Sequence, residues 1–229
     1  VINRYIHPED GEEEYFNKLE KYEYNSYSVT NDDGIYLYVT TNLRVLVEND
    51  WLDDLQYICE PTEYHEKRIT VQFTCDRVTG ESFLRHRAID EDHPTIEGEV
   101  TREMESDINS FARESTRYCN YSKNKFNGEL SFIKPIDYEE NKDIYETVFT
   151  TIEKGYMDLA SRKVTPDKAR AILPNALKTS IVVTTNLAEW ELIFGLRLDF
   201  AAHHDMRRVM QLVKNHFVKE GYIEEKIPA

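Results

Sequence analysis

Cysteine is scarce in this chain: 229 residues hold only Cys59, Cys75 and Cys119. An odd count without a Cys-x-x-Cys pair excludes a disulfide framework and a thiolate zinc knuckle, and it suits a reducing, cytoplasmic setting. Glycine and proline are sparse too, at 8 and 7. No Ser/Gly/Pro-rich linker interrupts the chain, so one domain over 1–229 is expected, with enough apolar residues to bury a core. No apolar run approaches the ~20 residues that span a bilayer. The start, Val1-Ile2-Asn3-Arg4-Tyr5, lacks a signal-peptide pattern, so a cytoplasmic protein with no membrane partner is expected. Positive charge is in deficit, with 28 Lys and Arg against 43 Asp and Glu, a net charge of −15. A field of that sign repels polyanions and argues against nucleic acid as a partner, although a local basic cluster can still capture a small anion.

What is present alternates between strand and helix patterns. Phe16, Leu19 and Tyr22 recur at helical spacing over Glu12–Tyr22. Asn31-Asp32-Asp33-Gly34 predicts a turn before the strand Ile35–Val39. Thr40-Thr41-Asn42 offers caps for a helix carrying Leu43, Leu46 and Val47, and helical packing is expected to continue through Trp51–Ile58. The tetrapeptide Thr-Thr-Asn-Leu occurs at 40–43 and again at 184–187. Both copies read as strand-to-helix junctions, which explains them without an internal duplication. Arg68–Cys75 alternates as a half-buried strand, and Val78–Leu84 follows as a helix packing Phe83 and Leu84. A short strand is expected over Glu129–Ile133, a long amphipathic helix over Tyr138–Arg162, and a helix from Thr165-Pro166 that Pro174 closes. Ser180–Thr185 reads as a strand, Asn186 opens the next helix, and His204–Val218 is a last, structural helix.

The densest chemistry lies in two runs, Ser82-Phe83-Leu84-Arg85-His86-Arg87 and Ser110-Phe111-Ala112-Arg113-Glu114-Ser115-Thr116-Arg117-Tyr118. Clustered guanidiniums repel one another unless anions lie between them, so this density points to an anion site. With residues 88–109 set aside, Arg85, His86, Arg87, Ser110, Ser115, Arg117 and Tyr118 fall in the order RHRxxSxxxxSxRY. That order resembles the signature of the flavin-dependent thymidylate synthases, the ThyX family. The likeness runs from about Thr70 to Met210. It includes Ala169-Arg170-Ala171-Ile172-Leu173-Pro174 and the pair Asn186 and Arg197.

Three departures are visible. Where the family places two residues, this chain inserts 88–109, with eight acids against Arg102; such a segment has little to bury and is expected to drape outside the fold, the rival reading being an acidic lid. The family often has its glutamate two places before the second serine, where this chain has Arg113, with Glu114 following. Ala188 and Leu192 also stand where family members often have a basic residue and an asparagine, so those flavin contacts are not carried over.

The resemblance implies an α+β fold: one ThyX-like domain with a mixed or antiparallel sheet and long flanking helices, assembled as a homotetramer with shared sites. It implies reductive methylation of dUMP to dTMP with FAD, NADPH as reductant and methylenetetrahydrofolate as carbon donor. Methylation at C5 of a uracil needs carbanion character, and an arginine, being always protonated, can stabilise that charge but cannot be the base. By resemblance Arg197 takes this role. Ser82, Arg85, Ser115, Arg117 and Arg170 join it in holding dUMP, and Arg85, His86, Arg87, Glu114 and Asn186 face the flavin. Ser115 and Cys119 are poor nucleophile candidates, the first lacking a histidine nearby in sequence, the second sitting among tyrosines. No metal is expected: His203-His204-Asp205 with His86 could suggest a phosphohydrolase, but neighbouring helical histidines are expected to diverge. The alternative to an enzyme is a non-catalytic flavin- or nucleotide-binding relative inactivated by the 88–109 insertion.

Overall fold

A computed structural model describes residues 1–6, 20–84, 110–123 and 126–224. Arg85, His86, Arg87 and the insertion 88–109 lie outside these described residues. So does most of the helix expected over Glu12–Tyr22, of which residues 20–22 are described and helical, the helix continuing to residue 23. The chain divides into two compact units, one formed by residues up to Ile69 with Thr185–Leu187, the other beginning at Thr70 and including Ser110–Thr184 and the chain from Ala188.

In the first unit, β1 (Ile2–Ile6), β2 (Val29–Asp32) and β3 (Tyr36–Thr40) form an antiparallel sheet in the order β1-β3-β2. The predicted turn closes the β2–β3 hairpin. Asp33 Oδ1 accepts from the amides of Ile35 at 2.9 Å and Tyr36 at 2.7 Å, while Gly34 adopts φ +83°, a conformation that glycine enters without a Cβ clash. Tyr5, Tyr22, Val39 and Leu46 form the core, with Trp51, Leu55 and Tyr57 packed against it. The Tyr22 hydroxyl donates to Asp54 Oδ2 at 2.5 Å, so the phenol brought into the core keeps a partner, as a buried hydroxyl must. Helix α1 (Leu43–Glu48) buries Val45 and Leu46 and leaves Leu43 and Val47 exposed. The expected inward stripe of Leu43, Leu46 and Val47 is thus rotated. After it, Leu52–Tyr57 forms a 3-10 turn and not a continued α-helix.

The second sheet has the order β4-β6-β5, with β4 at Arg68–Asp76, β5 at Ser110–Arg113 and β6 at Lys178–Asn186. Strand β5 runs antiparallel to β6, from Ser110 opposite Thr184 to Arg113 opposite Ile181. Along β6 the odd positions 179, 181, 183 and 185 are buried, the two-residue period of a strand. Helix α2 (Arg77–Phe83) starts on Asp76, whose Oδ1 accepts from the Thr79 amide at 2.9 Å and Oδ2 from the Thr79 hydroxyl at 2.6 Å. Asp76→Ala is expected to lower the unfolding free energy by about 1–2 kcal/mol, the range for losing a good N-cap, as a reduced urea midpoint with unchanged slope. Of the two residues expected to pack, Phe83 is fully buried but Leu84 is exposed, because the helix ends before it.

Helix α3 (Lys142–Ser161) carries Tyr156 into a cluster with Tyr121, Leu130, Ala169 and Leu177. The strand expected over Glu129–Ile133 is reduced to a single bridge, Phe132 to Leu177. Helix α4 (Pro166–Ala169) tightens into a 3-10 turn at Arg170–Ile172 and stops at an extended Leu173, φ −75° and ψ 132°. Pro174 enforces that stop, since the residue before a proline is driven out of the α region. Helices α5 (Leu187–Leu198) and α6 (His204–Lys219) pack Trp190 and Phe194 against Phe217, with ring centroids 5.3 Å apart in both pairs. Helices with two small sheets make this an α+β chain. None of the helices among the described residues is long and apolar enough to cross a membrane.

Candidate active site

In the second unit, α2 and α5 bring Ser82 and Arg197 together: Arg197 Nη2 donates to the Ser82 carbonyl at 3.3 Å. Burial holds the Arg197 guanidinium below its ordinary pKa, and its Nε is buried with no hydrogen-bond partner among the described residues. A half-buried guanidinium that meets, among the described residues, a neutral carbonyl retains donors for an anion.

The segment after β5 is a tight turn. Ser115 Oγ accepts from the Arg117 amide at 3.3 Å, and the Ser115 carbonyl accepts from the amides of Tyr118 and Cys119, each at 3.1 Å. The turn leaves Ser115 and Arg117 exposed. Arg117 also acts on Asp167: a hydrogen bond from the Thr165 side chain, then the charges of Lys168 and Arg117, hold the Asp167 carboxyl below the usual carboxylate range. Arg170, exposed, donates from Nε to the Asp167 carbonyl at 3.2 Å. The Asp167 carboxyl thus feels one ammonium and one guanidinium, Lys168 and Arg117, while Arg170 meets only its backbone carbonyl. Glu114 is fixed by its amide, which donates to the Ser180 carbonyl at 3.1 Å, and its side chain is half-buried.

Arg113, standing where the signature often has glutamate, is charge-compensated from another element. Its Nη2 lies 2.8 Å from Glu81 Oε1 of α2, and Arg77 Nη2 reaches the same oxygen at 3.4 Å. Arg77 Nη1 also donates to the buried Thr116 hydroxyl at 3.2 Å. Gly80 makes room for this bridge, since a Cβ there would stand 3.1 Å from Thr179 Cγ2 and 3.3 Å from Arg113 Cδ. Sequence reasoning overlooked these residues. The i,i+4 spacing of Arg77 and Glu81 was a readable signal. The link to Arg113, across the insertion, was not.

Asn186 belongs to the first unit, where its Nδ2 donates to Glu66 Oε1 at 2.9 Å. Glu66 Oε2 accepts in turn from Arg68 Nε at 2.6 Å, the two side chains being 16% and 9% exposed. The alternation of opposite charges at 66 and 68 before a strand was the available sign, because i and i+2 share one face.

Burial first, then the Asp76 charge, pushes the Cys75 thiol up to about 12, leaving no thiolate near neutrality. Cys119 packs against the Tyr121–Tyr156 cluster. The expectation that His203 and His204 diverge is corrected. His203 precedes α6 with extended backbone (φ −56°, ψ 137°), so its ring lies 4.2 Å from that of His204, and ligand atoms of His203, His204 and Asp205 fall within 4.8 Å of one another. Asp205 lies 3.2 Å from His204 and is already paired with Arg208 at 3.4 Å, a guanidinium that competes with a metal for the carboxylate.

Comparison with known proteins bears on this arrangement. The family model described as "Thymidylate synthase complementing protein" matches residues 62–220. A flavin-dependent thymidylate synthase of Pyrococcus furiosus is 31% identical over 138 residues, 59% of this chain and 48% of that protein. The enzyme of the same description from Pyrococcus abyssi is 32% identical over 139 residues, covering 59% and 48%. That from Geobacter sulfurreducens is 30% identical over 115 residues, 47% of each chain. The chain spans about half the length of the curated relatives it matches.

Proposed function

Because this chain belongs to the thymidylate synthase complementing protein family, we propose that it methylates dUMP reductively to dTMP, using FAD, methylenetetrahydrofolate as carbon donor and NADPH as reductant. The observation that carries the reading is Arg197: a half-buried guanidinium, anchored by one nitrogen on the Ser82 carbonyl and with a buried, unpartnered Nε among the described residues. Aimed at the N3/O4 side of a uracil, such a fork stabilises the charge that C5 must acquire before it can be alkylated. Exposed Ser115, Arg117 and Arg170 suit a phosphate, which guanidiniums grip bidentately and a hydroxyl supplements. By holding the phosphate they orient the ring, and Arg85 joins them in this proposal.

A flavin, when bound, supplies hydride chemistry. The described residues suit it at Asn186, whose amide NH2 faces Glu66 and whose oxygen is an acceptor of the kind the imide N–H of an isoalloxazine needs. Arg85, His86, Arg87 and Glu114 complete the proposed flavin contacts. We take 1–229 to act as one domain bearing the 88–109 insertion, with long helices flanking its sheets, as a cytoplasmic homotetramer with shared sites.

The test is tritium release from 5-tritiated dUMP by the purified chain with FAD, NADPH and methylenetetrahydrofolate. Release with dTMP formation is the expected result. A yellow protein that binds dUMP but releases no tritium overturns the enzymatic reading in favour of a non-catalytic binder.

A further inference from the structure

Both copies of Thr-Thr-Asn-Leu stand where a strand hands over to a helix, β3 to α1 and β6 to α5. Asn42 was expected to cap α1, yet its side chain makes no cap bond. Instead the two asparagines meet opposite ends of one ion pair. Asn42 Oδ1 accepts from Arg68 Nη1 at 3.2 Å, and Asn186 Nδ2 donates to Glu66 Oε1 at 2.9 Å. Arg68 Nη2 is further tied to the Tyr27 carbonyl at 3.0 Å, and the Glu66 amide to the Thr40 hydroxyl at 3.0 Å. The Glu66–Arg68 pair is therefore fixed from several sides before it touches Asn186.

The chemistry dictates an orientation. An ionised carboxylate only accepts and a guanidinium only donates, whereas an amide presents an NH2 at one end and an oxygen at the other. Facing Glu66, Asn186 must turn its NH2 inward, which sends Oδ1 the other way. We propose that Glu66, braced by Arg68, is a positioning residue that locks the Asn186 amide so that its oxygen accepts from an N–H of the ligand, the imide N–H of a flavin. This rests on the flavin reading above. A neutral side chain at 66 could offer either end of its own amide, and position 66 would no longer dictate which end of the Asn186 amide faces it.

The experiment is flavin titration of the wild-type chain, Glu66→Gln, Asn186→Ala and the double variant, followed by quenching of flavin fluorescence and the position of the bound absorption band. Each single variant is expected to weaken flavin binding about tenfold, the factor that 1.4 kcal/mol of lost interaction represents. The double variant should bind no worse than Asn186→Ala, because Glu66 acts only through that amide; purely structural damage would add to it. Should Glu66→Gln fail to fold, Glu66→Asp keeps the charge for Arg68 but withdraws the carboxylate from Asn186, and weaker flavin binding is again expected. Wild-type affinity in either Glu66 variant, or additive losses in the double variant, overturns the proposal while leaving the flavin reading intact. A wild-type chain that takes up no flavin at all overturns both.

Discussion

Arg197→Lys is expected to lower dUMP turnover by about 100-fold or more, as for other sites that lose one donor to developing negative charge. Lysine keeps the charge but replaces a planar fork by a single mobile ammonium. It cannot at once reach the Ser82 carbonyl, as Nη2 does at 3.3 Å, and offer a second nitrogen from the position of the buried Nε. The measurement is tritium release under saturating dUMP, with dUMP affinity determined separately. Loss confined to affinity, with turnover within threefold of wild type, would make Arg197 a binding group only and remove the keystone of the proposed chemistry.

The largest effect on stability is expected at Trp190. Its side chain is fully buried, its ring 5.9 Å from Phe194 and 5.3 Å from Phe217, centroid to centroid. Trp190→Ala should cost about 3–5 kcal/mol, combining lost transfer energy with the cavity left between α5 and α6. Against the ~5–15 kcal/mol that holds an ordinary domain together, that is a large share. It should appear as a marked fall in the urea midpoint, and dUMP binding should fall with it, because Trp190 lies about two helical turns before Arg197 on α5. A midpoint within 0.5 M of wild type, a bound set by the usual urea slope of ~1–3 kcal/mol per molar, would show that the aromatic trio does not secure that helix.

Much of the architecture was legible because strand and helix periods are strong along β4, β6, α3 and α6: on α6 the spacing points Met206, Val209, Met210, Val213 and Phe217 inward, and all of these but the half-buried Val209 are buried. The sequence was weaker where tertiary packing decides. The face that α1 buries depends on where Tyr5 and Val39 lie, and no local pattern rotates Leu43 outward. At the site, the motif named Ser82, Ser115, Arg117, Arg170 and Arg197, and the structure pairs Ser82 with Arg197. It could not name Glu66 or Glu81, since each works by meeting a residue far along the chain, Asn186 in one case and Arg113 in the other. Such partners become visible only once the chain is folded.

The bridge at Glu81 also governs how substitutions around it combine. One carboxylate oxygen serves Arg77 and Arg113 together, so removing either arginine leaves the acid neutralised, while removing the acid leaves two like charges side by side near Gly80. Positions 77, 81 and 113 therefore form an epistatic trio. A scan that changes them one at a time would charge the same loss to several residues, and an exchange that looks damaging alone becomes tolerable when its counterpart changes too.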